Sequence, residues 1–597
     1  MYETISLSVV LSAFLLAQIP AQSAETLSWT DWGDAAFARA KSEKKLVILD
    51  LEAVWCHWCH VMDQKTYADP KVADLLRKHF VTIRVDQDSR PDLSRKYEDF
   101  GWPATVFFDA SGKELAIREG FVAPENMQAL IEKLVKKPEP EKGARPPAAV
   151  QFSEKPLLSP KLRQDLLAKH VSTYDDEQKG WGKSHKFLDW NSTEYAMSQA
   201  ALGDAKNEKM ARDSLEAQEA LLDQVWGGVY QYSTDGDWKH PHFEKIMEMQ
   251  AGNLRIYSLA YAQWKDPRHL KMAQSIRGYL KTFLTSPDGA FYTTQDADLE
   301  QGKHSDDFFA LGDRERRQKG IPRIDTHVYS RENGWAISAL TTLYAATGDF
   351  AVLTDAERAT DWISKNRTLP NGGAGGGFRH GEKDIAGPFL GDTLAMARAY
   401  LDLYSVTADR AWLAKAQTSA AFIDQTFQFK GKKVAGYSTS PNQGKEKQIA
   451  PDKDENLAAL RFFVRLHQFT GKKSYQESAE RSMRFLATPS VALEYRSGGV
   501  LLGQDELSLP PLHLTVVASK KDSNARSLFL AALAYPGPYK RVEWWDRAEG
   551  PMPNPDVTYP EMAKPAAYAC GSGRCSLPVF KTEDLAKRVA QMTGAHH

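Results

Sequence analysis

Six times between residues 180 and 500 the chain is interrupted by glycine followed by a bulky apolar residue. These are Gly180-Trp181, Gly227-Gly228-Val229, Gly289-Ala290-Phe291, Gly376-Gly377-Phe378, Gly436-Tyr437 and Gly498-Gly499-Val500. The first glycines are 47, 62, 87, 60 and 62 residues apart. Between them lie long stretches of helical pattern, at 207–223, 245–264, 270–284, 332–346, 392–405, 410–427, 455–470 and 474–486. A period of this length marks an array of supersecondary units. Six units of two helices and a loop predict a closed ring of helical hairpins, an (α/α)6 toroid. The competing reading is that such glycine pairs are ordinary turns, and the ends of the series are its weakest members.

A different pattern precedes the ring. An apolar run at 46–51 reads as a buried strand and leads into Val54-Trp55-Cys56-His57-Trp58-Cys59-His60. Helical character follows at 61–67, then a helix at 71–79, a second buried strand at 81–86 and a helix at 91–100. Gly101-Trp102-Pro103 turns into a third strand, Gly112 closes a hairpin, and Pro124 starts a last helix. Alternating strands and helices followed by a hairpin and a helix predict a small α/β domain with a mixed sheet. The pattern resembles the thioredoxin fold, and Pro103 stands where that fold places a cis-proline against its Cys-x-x-Cys. Such a proline frees the backbone of Trp102 to pair with an incoming partner.

Roles follow from the chemistry of thiols. Cys56, at the helix start and read as the more exposed, is the expected attacking thiolate; Cys59, one turn on, is the resolving thiol. His57, between them, favours thiolate when protonated, and His60 follows. Two other readings compete. Cys56-x-x-Cys59-His60 matches the c-type haem attachment pattern, and Cys56, His57, Cys59 and His60 are zinc-ligand types. The preceding strand and Pro103 speak against haem. Zinc is opposed because neighbours on one helical turn do not all converge and no second ligand pair lies nearby in sequence. The expectation is therefore no metal and no cofactor.

At 597 residues the chain is too long for a single core. A net charge of −1, with no strongly basic stretch, excludes a nucleic-acid footprint. Fifteen tryptophans and 22 tyrosines suit either aromatic-lined carbohydrate sites or plain core packing. The apolar run at 5–19, with small residues at 21–23, predicts a signal peptide over 1–24, although Glu3 stands where a basic residue is usual. A periplasmic or secreted protein is expected, with no membrane span after signal removal and an uncleaved anchor as the alternative. Export permits disulfides.

Two stretches within the ring carry chemistry. Trp238-Lys239-His240-Pro241-His242-Phe243-Glu244-Lys245 precedes a helix, and Gln295-Asp296-Ala297-Asp298 follows the Gly289 loop. His240, His242, Glu244, Asp296 and Asp298 are candidate acid and base groups of the toroid cavity, for glycosidic hydrolysis or epimerisation. Equally, Glu244 suits a helix first turn and the aspartates can brace a loop. At the C-terminus, strands at 512–517 and 541–545, a helix at 524–535 and a final helix at 583–591 predict a small α/β appendage. Cys570 and Cys575 there are either a second redox pair that exchanges with Cys56/Cys59, or a static disulfide or two free thiols.

Read together, several motifs carry a family likeness. They are Cys56-His57-Trp58-Cys59-His60-Val61-Met62, Val85-Asp86 with Arg90-Pro91-Asp92, and Gly101-Trp102-Pro103. The run from His240 to Lys245, Gln295-Asp296-Ala297-Asp298, Ala567-Tyr568-Ala569-Cys570 and Cys575-Ser576-Leu577-Pro578-Val579 extend it over almost the whole chain. The sequence resembles the spermatogenesis-associated protein 20-like thioredoxin family. That resemblance implies a thioredoxin-like domain joined to a six-hairpin, glycosidase-like toroid, and it implies no particular substrate. Met247-Glu248-Met249 departs from the Leu-Tyr-Asp common in relatives, and the export signal is also unusual among them. The expected organisation is a signal peptide (1–24), a thioredoxin-like domain (25–137), a linker (138–157), the toroid (158–508) and the α/β appendage (509–597). The expected activity is thiol–disulfide exchange with a thiol or disulfide protein partner. The alternative is a toroid that binds or processes carbohydrate, or takes another small-molecule ligand, on a thioredoxin-like scaffold.

Overall fold

The structure is a computed structural model. It describes residues 27–141, 150–370, 375–383, 386–430, 434–441, 450–495, 497–571 and 573–593. The leader expected over 1–24 and the centre of the expected linker lie outside the described residues.

The N-terminal sheet is built around β1 (Leu46–Glu52), whose five middle residues are all buried. Helix α1 (Asp34–Glu43) precedes it and α2 (His57–Met62) follows it. Helix α3 (Pro70–His79), β2 (Phe80–Asp86), α4 (Pro91–Tyr97), β3 (Ala104–Phe108), β4 (Glu114–Glu119) and α5 (Pro124–Lys136) complete the unit. The strand order is β2-β1-β3-β4. β2 runs parallel to β1, with Leu46 opposite Phe80, and β3 runs antiparallel to it, with Val47 opposite Phe108. A central strand with helices over both faces reads as a continuous apolar run, which is why 46–51 was legible as buried. Val72 and Leu76 of α3 pack with Leu130 and Ile131 of α5 on one face. Ala36 and Ala40 of α1 pack with Leu93 and Tyr97 of α4 on the other.

The helical region closes into a ring. Its inner helices are α7 (Trp190–Ala200), α9 (Met247–Trp264), α11 (Ser330–Thr347), α13 (Leu390–Thr407), α15 (Lys453–Thr470) and α17 (Gly498–Ser508). Each packs on the next, and α17 packs back on α7. Five of them turn directly into outer helices α8 (Ala205–Gln218), α10 (Pro267–Phe283), α12 (Phe350–Arg367), α14 (Arg410–Thr426) and α16 (Lys473–Leu486). The sixth outer helix is α6 (Pro160–Ser172), which comes first in sequence and packs on α17, the last inner helix. The ring is therefore sealed by joining its two ends.

The turns explain the repeat. Several inner helices end on a left-handed residue (Lys265, Gly348, Ala408), and the next residue is an aspartate (Asp266, Asp349, Asp409) whose carboxylate accepts from the first turn of the outer helix. At the far end of the outer helices, Gly180, Gly227, Gly289, Gly376 and Gly436 all take positive φ, between 73° and 96°. The bulky residue after the turn is held by the following inner helix. Asn333 Oδ1 accepts from Phe291 N (2.7 Å) and Asn456 Oδ1 accepts from Tyr437 N (2.8 Å). Gln250 does the same for Val229, at 2.8 Å. The sixth glycine pair departs from this scheme. Gly498 and Gly499 follow no outer-helix turn; they open α17 at the seam, where a Cβ on Gly498 would lie 2.6 Å from Ser192 Cα. Their absence of side chains is what lets the last inner helix touch the first.

The C-terminal region forms a second four-stranded sheet. It contains β5 (Leu512–Val517), α18 (Ser523–Leu533), β6 (Lys540–Trp545), β7 (Ala566–Gly571), β8 (Arg574–Cys575) and α19 (Thr582–Thr593). The order is β6-β5-β7-β8, with β6 parallel and β7 antiparallel to β5. This is the connectivity of the N-terminal sheet over again, a likeness that no sequence motif announced. The segment after β5, Ala518 to Asp522, has no cysteine.

The two sheets cap opposite faces of the ring. The C-terminal unit meets the C-terminal ends of the inner helices: Lys265 Nζ donates to Ala534 O, Lys520 Nζ to Ala408 O, and Asn554 Nδ2 to Gln468 O. It shares one continuous apolar core with the ring, including Leu514, Val542 and Val589. The N-terminal unit meets the loops before the inner helices and keeps two cores of its own, while the cluster around Cys56 is shared with Ile246 of the ring. Inner helices of 18 residues separate the faces by about 27 Å.

Candidate active site

Cys56 and Cys59 are joined as a disulfide at the start of α2. Cys56 is the N-cap, and its Sγ accepts from Cys59 N at 3.1 Å. The Trp102-Pro103 bond is cis, and Trp102 packs beside the pair. Both cysteines are buried, Cys56 4% exposed and Cys59 3%, so the exposure expected of Cys56 amounts to almost nothing. The cover comes from the ring, whose Ile246 packs on the cluster of Ala53, Trp55, Cys56 and Cys59.

The ring also supplies charge. His57 Nδ1 lies 2.8 Å from Asp298 Oδ1. His60 Nδ1 lies 3.1 Å from Asp298 Oδ2, and its Nε2 lies 3.2 Å from Val54 O. A carbonyl can only accept, so Nε2 donates to Val54 O; a second proton, on Nδ1 toward Asp298, would make the ring an imidazolium. Burial opposes that charge, but the Asp298 hydrogen bond and the Asp296 charge prevail and hold the His60 pKa above its ordinary value. Burial likewise resists ionisation of Asp298, yet the hydrogen bonds from His57 and His60 bring its carboxyl down to about 2. Gly302 N donates to it at 2.7 Å.

Asp296 and Glu244 sit in the same pocket with the opposite tendency. Burial pushes Asp296 up to about 6, and its Oδ2 has no hydrogen-bond partner. Burial, with the charges of Asp296 and Asp298 adding to it, pushes Glu244 up to about 8, and its Oε2 is also unpartnered. His242 Nδ1 is 3.9 Å from Glu244 Oε2, and its ring stacks on Tyr232. Burial, then the charge of His57, lowers His242 to about 4. His304 lies against His57, the rings tilted by 32° with centroids 4.1 Å apart. A histidine held toward its charged form, a carboxyl held toward its ionised form and two carboxyls held toward their neutral form thus gather beside a buried disulfide. Such a set can give or take the proton that thiol–disulfide interconversion requires. Ligand atoms of His60, Asp296 and Asp298 also lie within 4.8 Å of one another, close enough to hold a cation. A second acidic group, Asp50, Glu52 and Asp63, is already bridged by Arg84.

The candidate residues therefore fall out differently from the sequence reading. His242, Glu244, Asp296 and Asp298 do converge, but against α2 of the N-terminal unit rather than inside the ring. The objection that no second ligand pair lies near the Cys-His motif fails, because Asp296 and Asp298 arrive from about 240 residues away. His240 stands apart, 54% exposed at its side chain and bonded to Asp237. Cys570 and Cys575 form a disulfide across the β7–β8 hairpin, beside a groove of about 670 Å³. They belong to the opposite face from Cys56, so direct exchange between the pairs is out of reach in this arrangement. Sequence reasoning missed Asp88, which accepts from Trp55 Nε1 (2.7 Å) and whose carbonyl meets His380 Nε2 (2.6 Å). It also missed the residues of the ring cavity, taken up below.

The Glu244 carboxyl carries a pH prediction. Its folded pKa, about 8, lies above the ordinary 4.5. Between those values the folded state holds a proton that the unfolded state has lost, so stability falls as pH rises from about 4.5 to 8. Glu244→Gln removes this loss. In urea unfolding the variant should match the parent near pH 4.5 and exceed it by on the order of 3–5 kcal/mol at pH 8. Equal stability of the two proteins at pH 8 would show that Glu244 ionises normally.

The chain is similar to several known proteins. Residues 6–136 match the Thioredox_DsbH family, described as a protein of unknown function, DUF255. Spermatogenesis-associated protein 20 of Rattus norvegicus is 27% identical over 316 residues, 46% of this chain and 39% of that protein, so the match spans well under half of the curated relative. Protein B0495.5 of Caenorhabditis elegans is 23% identical, with 94% of each chain covered. The thiol:disulfide interchange protein DsbD of Pectobacterium atrosepticum is 33% identical over 105 residues, 17% of this chain and 18% of its own. Among solved structures, a D-mannose isomerase aligns with TM-score 0.45 and 14% identity, covering 58% of this chain and 97% of its own. No helix among the described residues is long and apolar enough to cross a membrane. The chain is thus similar to the spermatogenesis-associated protein 20 proteins, with a DUF255 thioredoxin-like segment at its N-terminus joined to a six-hairpin ring.

Proposed function

We propose that the protein is a thiol–disulfide oxidoreductase of an exported compartment, with Cys56 as nucleophile and Cys59 as resolving thiol. One observation carries the reading: the Cys56–Cys59 pair is sealed at an interface where His57, His60, Glu244, Asp296 and Asp298 surround it with groups able to exchange protons. In the reduced protein the Cys56 thiolate attacks a substrate disulfide. A Cys56–substrate S–S bond forms, the substrate S–S bond breaks, and one substrate thiolate leaves with a proton. Cys59, giving its proton to the pocket, then attacks Cys56 Sγ and releases the second substrate thiol. Two electrons pass from the protein dithiol to the substrate disulfide, and the reverse sequence oxidises a substrate dithiol. Burial of both sulfurs selects for a slender partner, a small disulfide or one carried on an extended strand lying along Trp102. Similarity of the N-terminal segment to a DsbD supports the same chemistry. The Cys570–Cys575 bridge is assigned a structural role, closing the hairpin at the edge of the second sheet.

The test is a redox titration of the whole protein, equilibrated in thiol buffers, acid-quenched and alkylated. Cys56 and Cys59 are expected to titrate together at a potential between about −270 and −120 mV, the span of known exchange proteins. A pair that stays oxidised below about −300 mV is a structural disulfide and overturns the assignment.

A further inference from the structure

The inner helices enclose a cavity of about 180 Å³ that plays no part in the thiol chemistry. Its wall follows helical spacing. Glu248, Gly252 and Arg255 come from α9, Arg331 and Trp335 from α11, Gly391, Leu394 and Arg398 from α13, and Asp454 and Arg461 from α15. Arg95 of the N-terminal unit reaches into the same space.

Four of the five lining arginines are paired. Arg255 and Arg461 both hold Glu194, and Arg461 also holds Glu506. Arg331 holds Glu332, and Arg95 holds Glu98 and Asp452. Arg398 is the exception: among the described residues it has no ion pair and no hydrogen bond. The carboxylate that acts on it most strongly, Asp402, is taken by Arg465, and the like charges of Arg255, Arg461 and Arg465 act against it. Burial, only partly offset by Asp402, and then those like charges lower its pKa to about 10, which leaves it cationic at neutral pH. An unpaired guanidinium fork that lines a cavity beside paired ones is a receptor for a carboxylate or phosphate. The rest of the wall suits a hydroxylated ring. Trp190 and Trp335 border the cavity, and Trp190 Nε1 is a buried donor with no partner. Asn191 adds an amide, and the carboxyl groups of Glu248, Asp454 and Glu455 line the same space as acceptors for hydroxyl groups.

We propose that the ring cavity binds an anionic monosaccharide, its carboxylate or phosphate on the Arg398 guanidinium and its ring against Trp190. This assignment is independent of the thiol chemistry and uses none of its residues. The experiment is calorimetric titration of the full-length protein with D-glucuronate, D-glucose 6-phosphate and neutral D-glucose. At least one of the two anions should bind roughly 10- to 100-fold more tightly than glucose, the worth of a charged hydrogen-bonded contact. Which anion binds distinguishes a carboxylate site from a phosphate site. Arg398→Met should abolish that preference while melting no lower than the parent, because it removes a like charge. Should Arg398→Met fail to fold, Arg398→Lys keeps the charge without the fork and should retain only part of the preference. The proposal is overturned if neither anion binds at about 10 mM, if glucose binds equally well, or if the Arg398 variants bind like the parent.

Discussion

Reduced protein carrying Cys59→Ser accumulates a mixed disulfide on Cys56, whereas Cys56→Ser forms none and loses thiol exchange by about three orders of magnitude or more. That is the expected outcome of the capture experiment, and the geometry makes it asymmetric. Cys56 is the N-cap of α2, and its sulfur receives the Cys59 N–H. Negative charge on Cys56 is therefore met by a free backbone donor and by the positive end of the helix, which lowers a thiol pKa. Cys59 lies a turn inside the helix and lacks that setting. With Cys59 gone, no thiol remains within reach to release a substrate from Cys56, because the second cysteine pair lies on the other side of the ring. The adduct should persist until an external thiol removes it. Equal alkylation rates at the two cysteines, or equal adduct yields from the two variants, would sink the assignment.

A comparable effect on stability is expected from Glu194→Ala. Glu194 is 1% exposed and accepts two hydrogen bonds from Arg255, at 2.8 and 2.6 Å. It accepts two more from Arg461, at 2.9 and 2.7 Å. Burial works against its charge, but the two guanidiniums outweigh it and hold the carboxyl far below its ordinary range. Removing the carboxylate leaves Arg255 without its partner and Arg461 with Glu506 alone, beside the already unpaired Arg398. Breaking a buried ion pair from one side costs about 3–5 kcal/mol. Urea unfolding should show that loss at neutral pH. A loss below about 1 kcal/mol would mean that water reaches the pair and screens it.

Much of the architecture was legible because it is written locally. Glycine followed by a bulky residue marks the far end of an outer helix, since positive φ is needed to turn there and the bulky residue is needed to fill the seam. The reading slipped at Gly498-Gly499, where the same letters serve close helix contact instead of a turn. The seat of Cys56 and Cys59 was legible for the same reason, as a buried strand running into a helix start. Their surroundings were not. Nothing in the sequence periodicity brings Glu244, Asp296 and Asp298 to His57 and His60; only docking of one unit on the other does so. The ring cavity left a fainter trace. Arg398 and Asp392 stand in α13, a helix otherwise rich in leucine, alanine and tyrosine. A charge in such a helix is either paired or waiting for something. The repeated sheet connectivity of the C-terminal unit was hidden because connectivity is carried by strand pairing, not by any residue type.

The seam between α6 and α17 also sets a clock. The ring's first outer helix begins at Pro160 and the last inner helix at Gly498. At synthesis rates of about 5–20 residues per second, the first waits roughly 17–70 s for its partner to be made. During that interval the inner helices have no closed ring to bury their apolar faces, while the N-terminal sheet, with cores of its own, is already whole. A chain built this way needs protection along its growing middle, and its vulnerability to proteolysis during synthesis should concentrate between residues 160 and 498.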